Sequence, residues 1–515
     1  PNVKTGVLEN GMTFFIRKNN KPEKRAHFRI VIKAGALDED DDQNGLAHFC
    51  EHMAFNGTKN FPKNNLIEYL QKSGIRFGAD LNASTGYEQT MYELPIPSDD
   101  PEFMKKAFQI LQDWASNVSY NGEDIDSERG VIMSEWRQRN DYRFRLRDNM
   151  FKTIYKGSKI TKRNIIGDTA ILQNFKHDVI RRFYKDWYRP DNMAIIAVGD
   201  FNSSDIETLI KSTFVTLTNP RNPRKRDQIN VPFHKGIIAG VSTDKELPVE
   251  IANAYMKIPE FTQNTFGGFR ESAKRNLFDI MLNERIQELS KKENPPFLSA
   301  GGGENDMLGN IRAYNISVAT APGGIKKGLD AVLLEIARIR SHGFLQSELD
   351  RAIRQIRGSY DKYLADKNTV ENARYVSEYT NVFIAGDSYP GIDTEFRLMN
   401  TILDGMKLSE VNELSKLYFT FENTALTAAF PENSPGKLSE SELIETFTSL
   451  VNRDAEPYVD ASSNRPLIEK LPKPGKITSK VRNEKLDLYT YKLQNGATVV
   501  LKPTNFKDNE IQHID

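Results

Sequence analysis

Two of the seven histidines in this chain of 515 residues lie within five positions of each other, in the segment HFCEH at residues 48–52. Each residue of an α-helix turns by about 100°, so His48 and His52 would project from one face, one turn apart. Glu51 would lie within the same arc. Two imidazoles at this spacing can hold one divalent ion, and zinc is the usual choice for nitrogen and oxygen ligands. The pattern therefore predicts a metal site.

A catalytic metal site needs a third protein ligand and an open position for water. The carboxylate of Glu51 would then take a proton from that water and return it to the leaving amine. The order His-x-x-Glu-His is that of the inverzincins, the reverse of His-Glu-x-x-His. A chance match in a chain of this composition has odds of about one in a hundred, which favours the metal site over a structural helix with satisfied histidines.

A third ligand could come from the segment "DIDSERGVIMSEWRQRNDYRF", which contains Glu128 and Glu135. These residues are seven apart, so they share one helix face two turns apart. Spacing alone does not choose between them, and two solvated glutamates on a charged helix remain the favoured interpretation at this point.

The elements around these residues alternate between strand and helix patterns, which favours the α+β class. Strands are expected at "GMTFFIRKNN", "AHFRIVIKAG" and residues 193–201, and a strand pair or long extended segment at "GADLNASTGYEQTMYELPIP". The metal helix should begin after Asn44 and end at Gly57. Further helices are expected at "FPKNNLIEYLQKSG", ending at Gly74, across 123–155, and at "SSDIETLIKSTF", which opens with a serine cap.

A polar, proline-marked stretch at 218–230 suggests a boundary between two α+β blocks. The second block has strand patterns in "VEIANAYMKIP" and "IRAYNISVAT", a helix pattern in "SELDRAIRQIRGSYDKYLADK", and a glycine-rich segment "AGGGENDMLGN" that we interpret as a flexible turn. We expect domains at 1–222 and 223–452, followed by an extended linker at 453–485.

The last residues carry a weak internal repeat. "LQNGATVVLKP" at 493–503 aligns without gaps on "LENGMTFFIRK" at 8–18. We interpret residues 486–515 as the truncated start of a second copy, whose orphan strand should be mobile or irregularly paired.

Composition excludes several classes of protein. Seventy basic residues balance 70 acidic residues, so nothing indicates a nucleic-acid partner or a membrane surface. No apolar run approaches the roughly 20 residues of a membrane span. The single cysteine, Cys50, excludes an intramolecular disulfide, and a buried structural thiol is favoured over a ligand.

Pro1 follows no methionine or signal-like segment, so we expect a processed, soluble piece, with the bacterial periplasm or cell envelope as a compartment after signal removal.

Three segments in register, "GLAHFCEHMAFNGTKNFP", "ERGVIMSEW" and "WYRPDNMAIIAVGDF", resemble the pitrilysin/insulinase metallopeptidases. That family includes insulin-degrading enzyme and the β subunit of mitochondrial processing peptidase. By position, the resemblance assigns one Zn²⁺ per chain to His48, His52 and Glu135, and the general base to Glu51. Glu128 matches a glutamate that orients a ligand histidine.

The resemblance also implies the architecture and the substrate. Each half of such a protein contains two similar α/β-sandwich domains of the mitochondrial-processing-peptidase-like fold, the first of them catalytic and the second non-catalytic. Two halves form a clamshell around a chamber that admits peptides or unfolded polypeptides. This chain would be the N-terminal half, with the missing C-terminal half or a second copy as partner. "LNASTGYEQTMYEL" resembles the edge strand of the family, in which Asn82 and Ala83 match positions that contact substrate backbone.

The sequence thus predicts a zinc-dependent endopeptidase half. The alternative is a peptide-binding or scaffold subunit that holds zinc but turns over little without its partner half. A structural zinc site is disfavoured, because three ligands beside a glutamate leave one coordination position open.

Overall fold

The computed structural model describes residues 2–63, 65–72, 75, 82–309, 311–460, 468, 470 and 472–504. Helices and sheets are mixed along the chain, which confirms the α+β class. Among the helices of the described residues, none has both the length and the apolar character needed to cross a bilayer.

The first sheet has six strands and positions the predicted metal helix. Its spatial order is β1-β2-β6-β3-β5-β4, with β2 and β6 parallel and the other pairs antiparallel. The strand predictions at "GMTFFIRKNN", "AHFRIVIKAG" and 193–201 are confirmed. The bounds are β1 Val3–Val7, β2 Thr13–Lys18, β3 Arg25–Ile32, β4 Asn82–Thr85, β5 Thr90–Pro97 and β6 Met193–Gly199.

Eight helices accompany this sheet in the described residues. They are α1 Leu46–Asn56, α2 Asn65–Lys72, α3 Pro101–Ser116, α4 Gly122–Arg139, α5 Tyr142–Ile154, α6 Thr169–Asn174, α7 His177–Trp187 and α8 Ser203–Phe214. The predicted end of α2 at Gly74 lies outside the described residues.

Three expectations about these helices were wrong or incomplete. The single helix expected across 123–155 is two helices, because Asp141 accepts a hydrogen bond from the Phe144 amide at 3.0 Å and starts α5 anew. The cap of α8 is Asn202 and not a serine. Helix α3 was not predicted, although Asp100 and Pro101 form a good start signal for a helix.

The second sheet repeats the topology of the first. Its order is β7-β11-β8-β10-β9, with β7 and β11 parallel and the rest antiparallel, which matches β2-β6-β3-β5-β4 strand for strand. The strands predicted at "VEIANAYMKIP" and "IRAYNISVAT" are confirmed as β8 and β10. The bounds are β7 Ile237–Asp244, β8 Glu250–Pro259, β9 Ser299–Asp306, β10 Ile311–Thr320 and β11 Thr424–Pro431.

The glycine-rich segment after residue 300 is a strand and not the predicted turn. It forms β9, which pairs along its length with β10. Glycine at 302 suits this place, because a Cβ there would lie 2.5 Å from the Ile316 side chain and 2.9 Å from that of Leu282. The helices of this block are α9 Phe266–Ser290, α10 Ile325–His342, α11 Gln346–Ala365, α12 Asn372–Ala385, α13 Ile392–Asp404, α14 Leu408–Asn412, α15 Leu414–Tyr418 and α16 Glu440–Val451.

Each sheet is covered on its outer face by a helix from the other block. Helix α12 packs on β3 and β6, where Tyr379 stacks on Phe15 with 5.6 Å between ring centroids. Helix α5 packs on β7 and β11, and the buried Lys257 on β8 donates to the carbonyl of Ile154 at 3.0 Å. Every residue of β6 is buried as a result.

The strand of the C-terminal repeat pairs without a register shift in a small sheet, so the expectation of irregular pairing was wrong. Strands β12 Ile477–Asn483, β13 Leu488–Leu493 and β14 Thr498–Leu501 form a three-stranded sheet, and β12 lies within the expected linker. Its second turn reproduces the turn between β1 and β2, with Gly11 at φ 90° and Gly496 at φ 89°. Three equivalent hydrogen bonds close each turn. In the first turn they run from Leu8 N to Met12 O, from Gly11 N to Leu8 O and from Met12 N to Asn10 Oδ1. In the second turn they run from Leu493 N to Ala497 O, from Gly496 N to Leu493 O and from Ala497 N to Asn495 Oδ1.

We expect Gly45→Ala to destabilise the first block. Gly45 precedes α1 at φ 102°, and a Cβ there would lie 2.5 Å from the Cα of Gly167. The left-handed backbone alone costs an alanine about 1–2 kcal/mol, and the contact adds to that cost. Thermal unfolding measures the effect.

Gly358→Ala is the matched control, because Gly358 lies inside α11 with open space around its Cα. It should raise the free energy of unfolding by roughly 0.5–1 kcal/mol. An equal shift from both substitutions would contradict the steric role of Gly45.

Candidate metal centre

Helix α1 carries the HFCEH segment through the interior of the first block, as predicted from Asn44 and Gly57. Nine of its 11 residues are buried. Its N-terminus is capped by the buried carboxylate of Glu39, which accepts hydrogen bonds from the amides of Gly45 at 3.1 Å and Ala47 at 2.8 Å. Polar side chains inside a buried helix are costly unless they have partners, so the partners of His48, Glu51 and His52 identify the site.

Two other acids before α1, Asp38 and Asp40, form ion pairs with arginines. Asp38 binds Arg226 at 2.9 Å, and Asp40 binds Arg224 at 2.6 Å. Both arginines lie in the polar stretch at 218–230, so these pairs fasten the chain between the two sheets to the start of the metal helix.

Helix α4 places both candidate glutamates beside His52. The imidazole Nδ1 of His52 lies 2.7 Å from Oε1 of Glu128, and its Nε2 lies 3.3 Å from Oε2 of Glu135. One ring thus bridges two carboxylates two helical turns apart. Asn56, one turn beyond His52 on α1, donates to the other oxygen of Glu128.

Glu135, and not Glu128, approaches both histidines. Its Oε2 also lies 3.7 Å from Nε2 of His48, and the three side chains offer one ligand atom each within 4.8 Å of one another. Four-coordinate zinc with bonds of about 2.0–2.1 Å separates its ligands by about 3.3–3.5 Å. The buried Oε2 has no aligned hydrogen-bond donor among the described residues, while Oε1 binds Arg139 at 2.6 Å. This donor set fits zinc.

The carboxylate of Glu51 is held by the edge strand of the first sheet. Its Oε2 accepts a hydrogen bond from the hydroxyl of Thr85 on β4 at 2.6 Å. Glu51 itself is only 9% exposed. The side chain therefore has a fixed orientation beside the two histidines.

The protonation of the cluster follows from burial and close charges. Burial, with the neighbouring His52, lowers the pKa of His48 to about 3, so this imidazole is neutral. Burial also lowers the pKa of His52, but Glu128 and Glu135 outweigh it and raise the pKa to about 9. The hydrogen bond from His52, with the charge of Arg139, lowers the pKa of Glu135 to about 2. Burial raises the pKa of Glu51. A metal that binds here must displace a proton from His52.

The remaining sequence-predicted positions lie as follows. Asn82 is exposed and Ala83 half-buried on β4, which is hydrogen-bonded to β5 on one side only among the described strands. Cys50 is fully buried, and burial raises its pKa, as expected for a structural thiol.

Sequence reasoning missed Asn56, Thr85 and Arg139. Asn56 and Arg139 each lie four residues after a predicted site residue, so helical spacing could have found them. Thr85 gives no such signal, because only the pairing of β4 with β5 brings it to Glu51.

Two family models match this chain. Residues 14–167 match the insulinase (peptidase family M16) model, and residues 174–356 match the peptidase M16 inactive domain. His48, His52 and Glu135 all lie within the residues matched by the first model. The chain belongs to the insulinase family of peptidases, peptidase family M16.

Curated relatives carry names of zinc proteases. The chain is 28% identical over 520 residues to the probable zinc protease PqqL of Haemophilus influenzae, covering 99% of this chain and 55% of that protein. It is 26% identical over 508 residues to a zinc protease PQQL-like protein of Arabidopsis thaliana, covering 98% and 50%. The chain thus spans about half the length of these relatives.

The solved structure of the periplasmic protease PqqL from Escherichia coli is similar in fold. Its TM-score is 0.83 at 24% identity, covering 98% of this chain and 56% of that one. The structure of the first half of the same protease matches with a TM-score of 0.82 at 24% identity, covering 89% and 98%.

We expect Glu135→Gln to lower zinc affinity more than Glu128→Gln does. Glu135 approaches both imidazoles, whereas Glu128 approaches only one, at Nδ1 of His52. Glu128→Gln should therefore lower the zinc affinity by about 10–100-fold, and Glu135→Gln by more. Competition with a zinc chelator measures both affinities. Glu51→Gln is the control, because Glu51 is outside the donor cluster and its variant should bind zinc as the parent does. The reverse order of the two losses would assign the ligand role to Glu128.

Proposed function

We propose that this chain is the N-terminal catalytic half of a zinc-dependent endopeptidase that cleaves peptides or unfolded polypeptides. The observation that carries the proposal is the convergence of His48, His52 and Glu135 within 4.8 Å beside the buried carboxylate of Glu51. A zinc ion held by these three groups would polarise the scissile carbonyl and lower the pKa of a water.

The residues of the chain then have distinct tasks. Glu51 accepts a proton from the attacking water and passes it to the leaving amine, and its raised pKa suits both steps. Glu128 holds the Nδ1 of His52, which fixes the ring so that Nε2 faces Glu135. Arg139 binds the other oxygen of Glu135 and sets the direction of that carboxylate.

Substrate would bind as an added strand on β4. An edge strand offers unpaired backbone groups to an extended peptide, and Asn82 and Ala83 lie on this strand. Along β4 the side chains alternate, so Asn82 projects away from the core while Ala83 and Thr85 face it. A peptide on this edge would lie next to the residue that holds Glu51.

We also propose that a second half of the protein faces this chain and that the two halves enclose the substrate in a chamber. The turn repeated at Gly11 and Gly496, with the same three hydrogen bonds, supports a second copy that starts near residue 486. We propose the periplasm as the compartment, because the E. coli protein of similar fold is described as periplasmic. Fractionation of cells that express the whole protein tests the compartment.

Glu51→Gln should keep zinc and lose turnover. Loss of the general base should lower kcat by about 10²–10⁴-fold, while the three predicted ligands are unchanged. Zinc content and cleavage of a quenched peptide are measured for parent and variant, alone and mixed with the second half. If the parent chain binds zinc but cleaves no peptide, either alone or mixed with the second half, the result favours the peptide-binding or scaffold alternative.

Thr85→Val should lower kcat and leave KM and zinc content unchanged. Valine matches threonine in shape but cannot donate to Glu51, so the general base loses its orientation. Thr85→Ser keeps the hydroxyl and should retain most of the activity. Equal losses in both variants, or a change in KM alone, would show that Thr85 acts through packing of β4 instead.

A further inference from the structure

A cavity of about 750 Å³ lies between α5 and the outer face of the second sheet. Its floor is formed by β7, β11 and β8, where Ser242, Thr427 and Asn253 supply polar groups among apolar lining residues. Asn253 donates to the Thr427 hydroxyl at 3.4 Å. Cavities of this size hold one or a few side chains of a ligand.

The wall of the cavity is positively charged. Arg143, Arg147 and Lys152 line it from α5, and the only carboxylate among its lining residues is that of Glu440. The chain as a whole has no net charge, so this excess is local. Lys152 is paired with Asp148 at 2.6 Å, and Arg143 is 76% exposed with Asp141 at 3.7 Å. Arg147 forms no ion pair with any residue in the described part of the chain, and its guanidinium lies 5.3 Å from the centroid of the Phe144 ring.

Among the basic residues of α5, Arg145 has the structural role, whereas Arg143, Arg147 and Lys152 do not. Arg145 binds both oxygens of Asp244 at 2.7 and 3.0 Å and Glu246 at 2.6 Å, which anchors α5 to the end of β7. Arg143 and Arg147 are one turn apart on another face, where like charges destabilise a helix. A residue pair that violates a local rule is a candidate for a functional site.

The cavity lies within reach of a peptide bound at the metal centre. Tyr87, in the turn after β4, packs on Phe151 of α5 with 5.8 Å between ring centroids. The chain from Glu135 to Arg143 includes one helical turn and four further residues, so it spans at most about 20 Å. An extended peptide of about six residues covers that distance.

We propose that this cavity binds acidic side chains of the substrate, several residues away from the cleaved bond. The inference rests on the proposed function, since the acidic residues belong to the peptide that β4 holds. Arginine recognises carboxylates through two parallel hydrogen bonds, and the hydroxyl and amide groups of the floor can donate to the remaining oxygens. The protein would therefore prefer peptides with acidic residues on one side of the cleavage position.

Peptide binding to the full chain tests this preference without turnover. The zinc-loaded Glu51→Gln variant is titrated with two fluorescent peptides that differ only in Glu-to-Gln exchanges about six residues from the centre. We expect the acidic peptide to bind about tenfold more tightly in low salt, with the ratio reduced in 0.5 M salt. In the Arg143→Gln/Arg147→Gln background the ratio should fall to about one to two, while the amide peptide binds as before.

Lys326→Gln/Lys327→Gln is the matched control, because it removes the same charge from exposed positions on α10. It should keep the preference for the acidic peptide. Glutamine is a good helix former, so α5 should keep its stability, and thermal unfolding checks this. An equal affinity for both peptides, or a preference that survives Arg143→Gln/Arg147→Gln, would overturn the inference. Neither result depends on cleavage, so the failure of this inference is distinct from the failure of the proposed peptidase activity.

Discussion

The contact on which the site depends is the imidazole of His52 between Glu128 and Glu135. Its two ring nitrogens face carboxylates two turns apart on α4, so a single ring joins two helices and fixes the face that α4 turns toward α1. The surroundings are largely buried, and a charged group there is tolerated only with a partner. Each of the three side chains therefore determines where the other two can lie. The position of Glu135 relative to His48 follows from this arrangement.

The elements next to the site are held by a second set of polar contacts. The start of α1 depends on the buried carboxylate of Glu39, and the loop before it is fastened by Arg224 and Arg226. The edge strand β4 reaches α1 through the hydroxyl of Thr85. These contacts hold α1, the loop before it and the edge strand in place around His48, Glu51 and His52. Such preorganisation lowers the cost of orienting groups during the reaction.

The sequence was sufficient for the features that depend on local periodicity. The limits of α1, the strands β2, β3 and β6, and the pairing of His48 with His52 all follow from spacing along the chain. Features that depend on tertiary contacts could not be found in this way. The choice between Glu128 and Glu135 needs the tilt of α4 against α1, and the role of Thr85 needs the register of β4 with β5. The strand β9 was mistaken for a turn because its glycines signal flexibility in isolation. The segment is a strand because it pairs with β10 and because side chains of α9 pack over Gly302.

Among the described residues, the cluster of His48, His52 and Glu135 lies in the first block alone, although both sheets share one topology. Helix α9 follows β8 in the second sheet as α1 follows β3 in the first, so the two helices occupy equivalent places in the fold. The sequence of α9 has no histidine, and its buried polar side chain is Arg285, which binds both oxygens of Glu348 at 2.7 Å with both residues 1% exposed. Burying a charged side chain costs free energy. In the second block Glu348 on α11 offsets this cost for Arg285, and in the first block His52 offsets it for Glu128 and Glu135. Both oxygens of Glu348 accept hydrogen bonds from Arg285, whereas the Oε2 of Glu135 lacks an aligned donor among the described residues. The second block therefore shares the sheet topology of the first, without this cluster among its described residues.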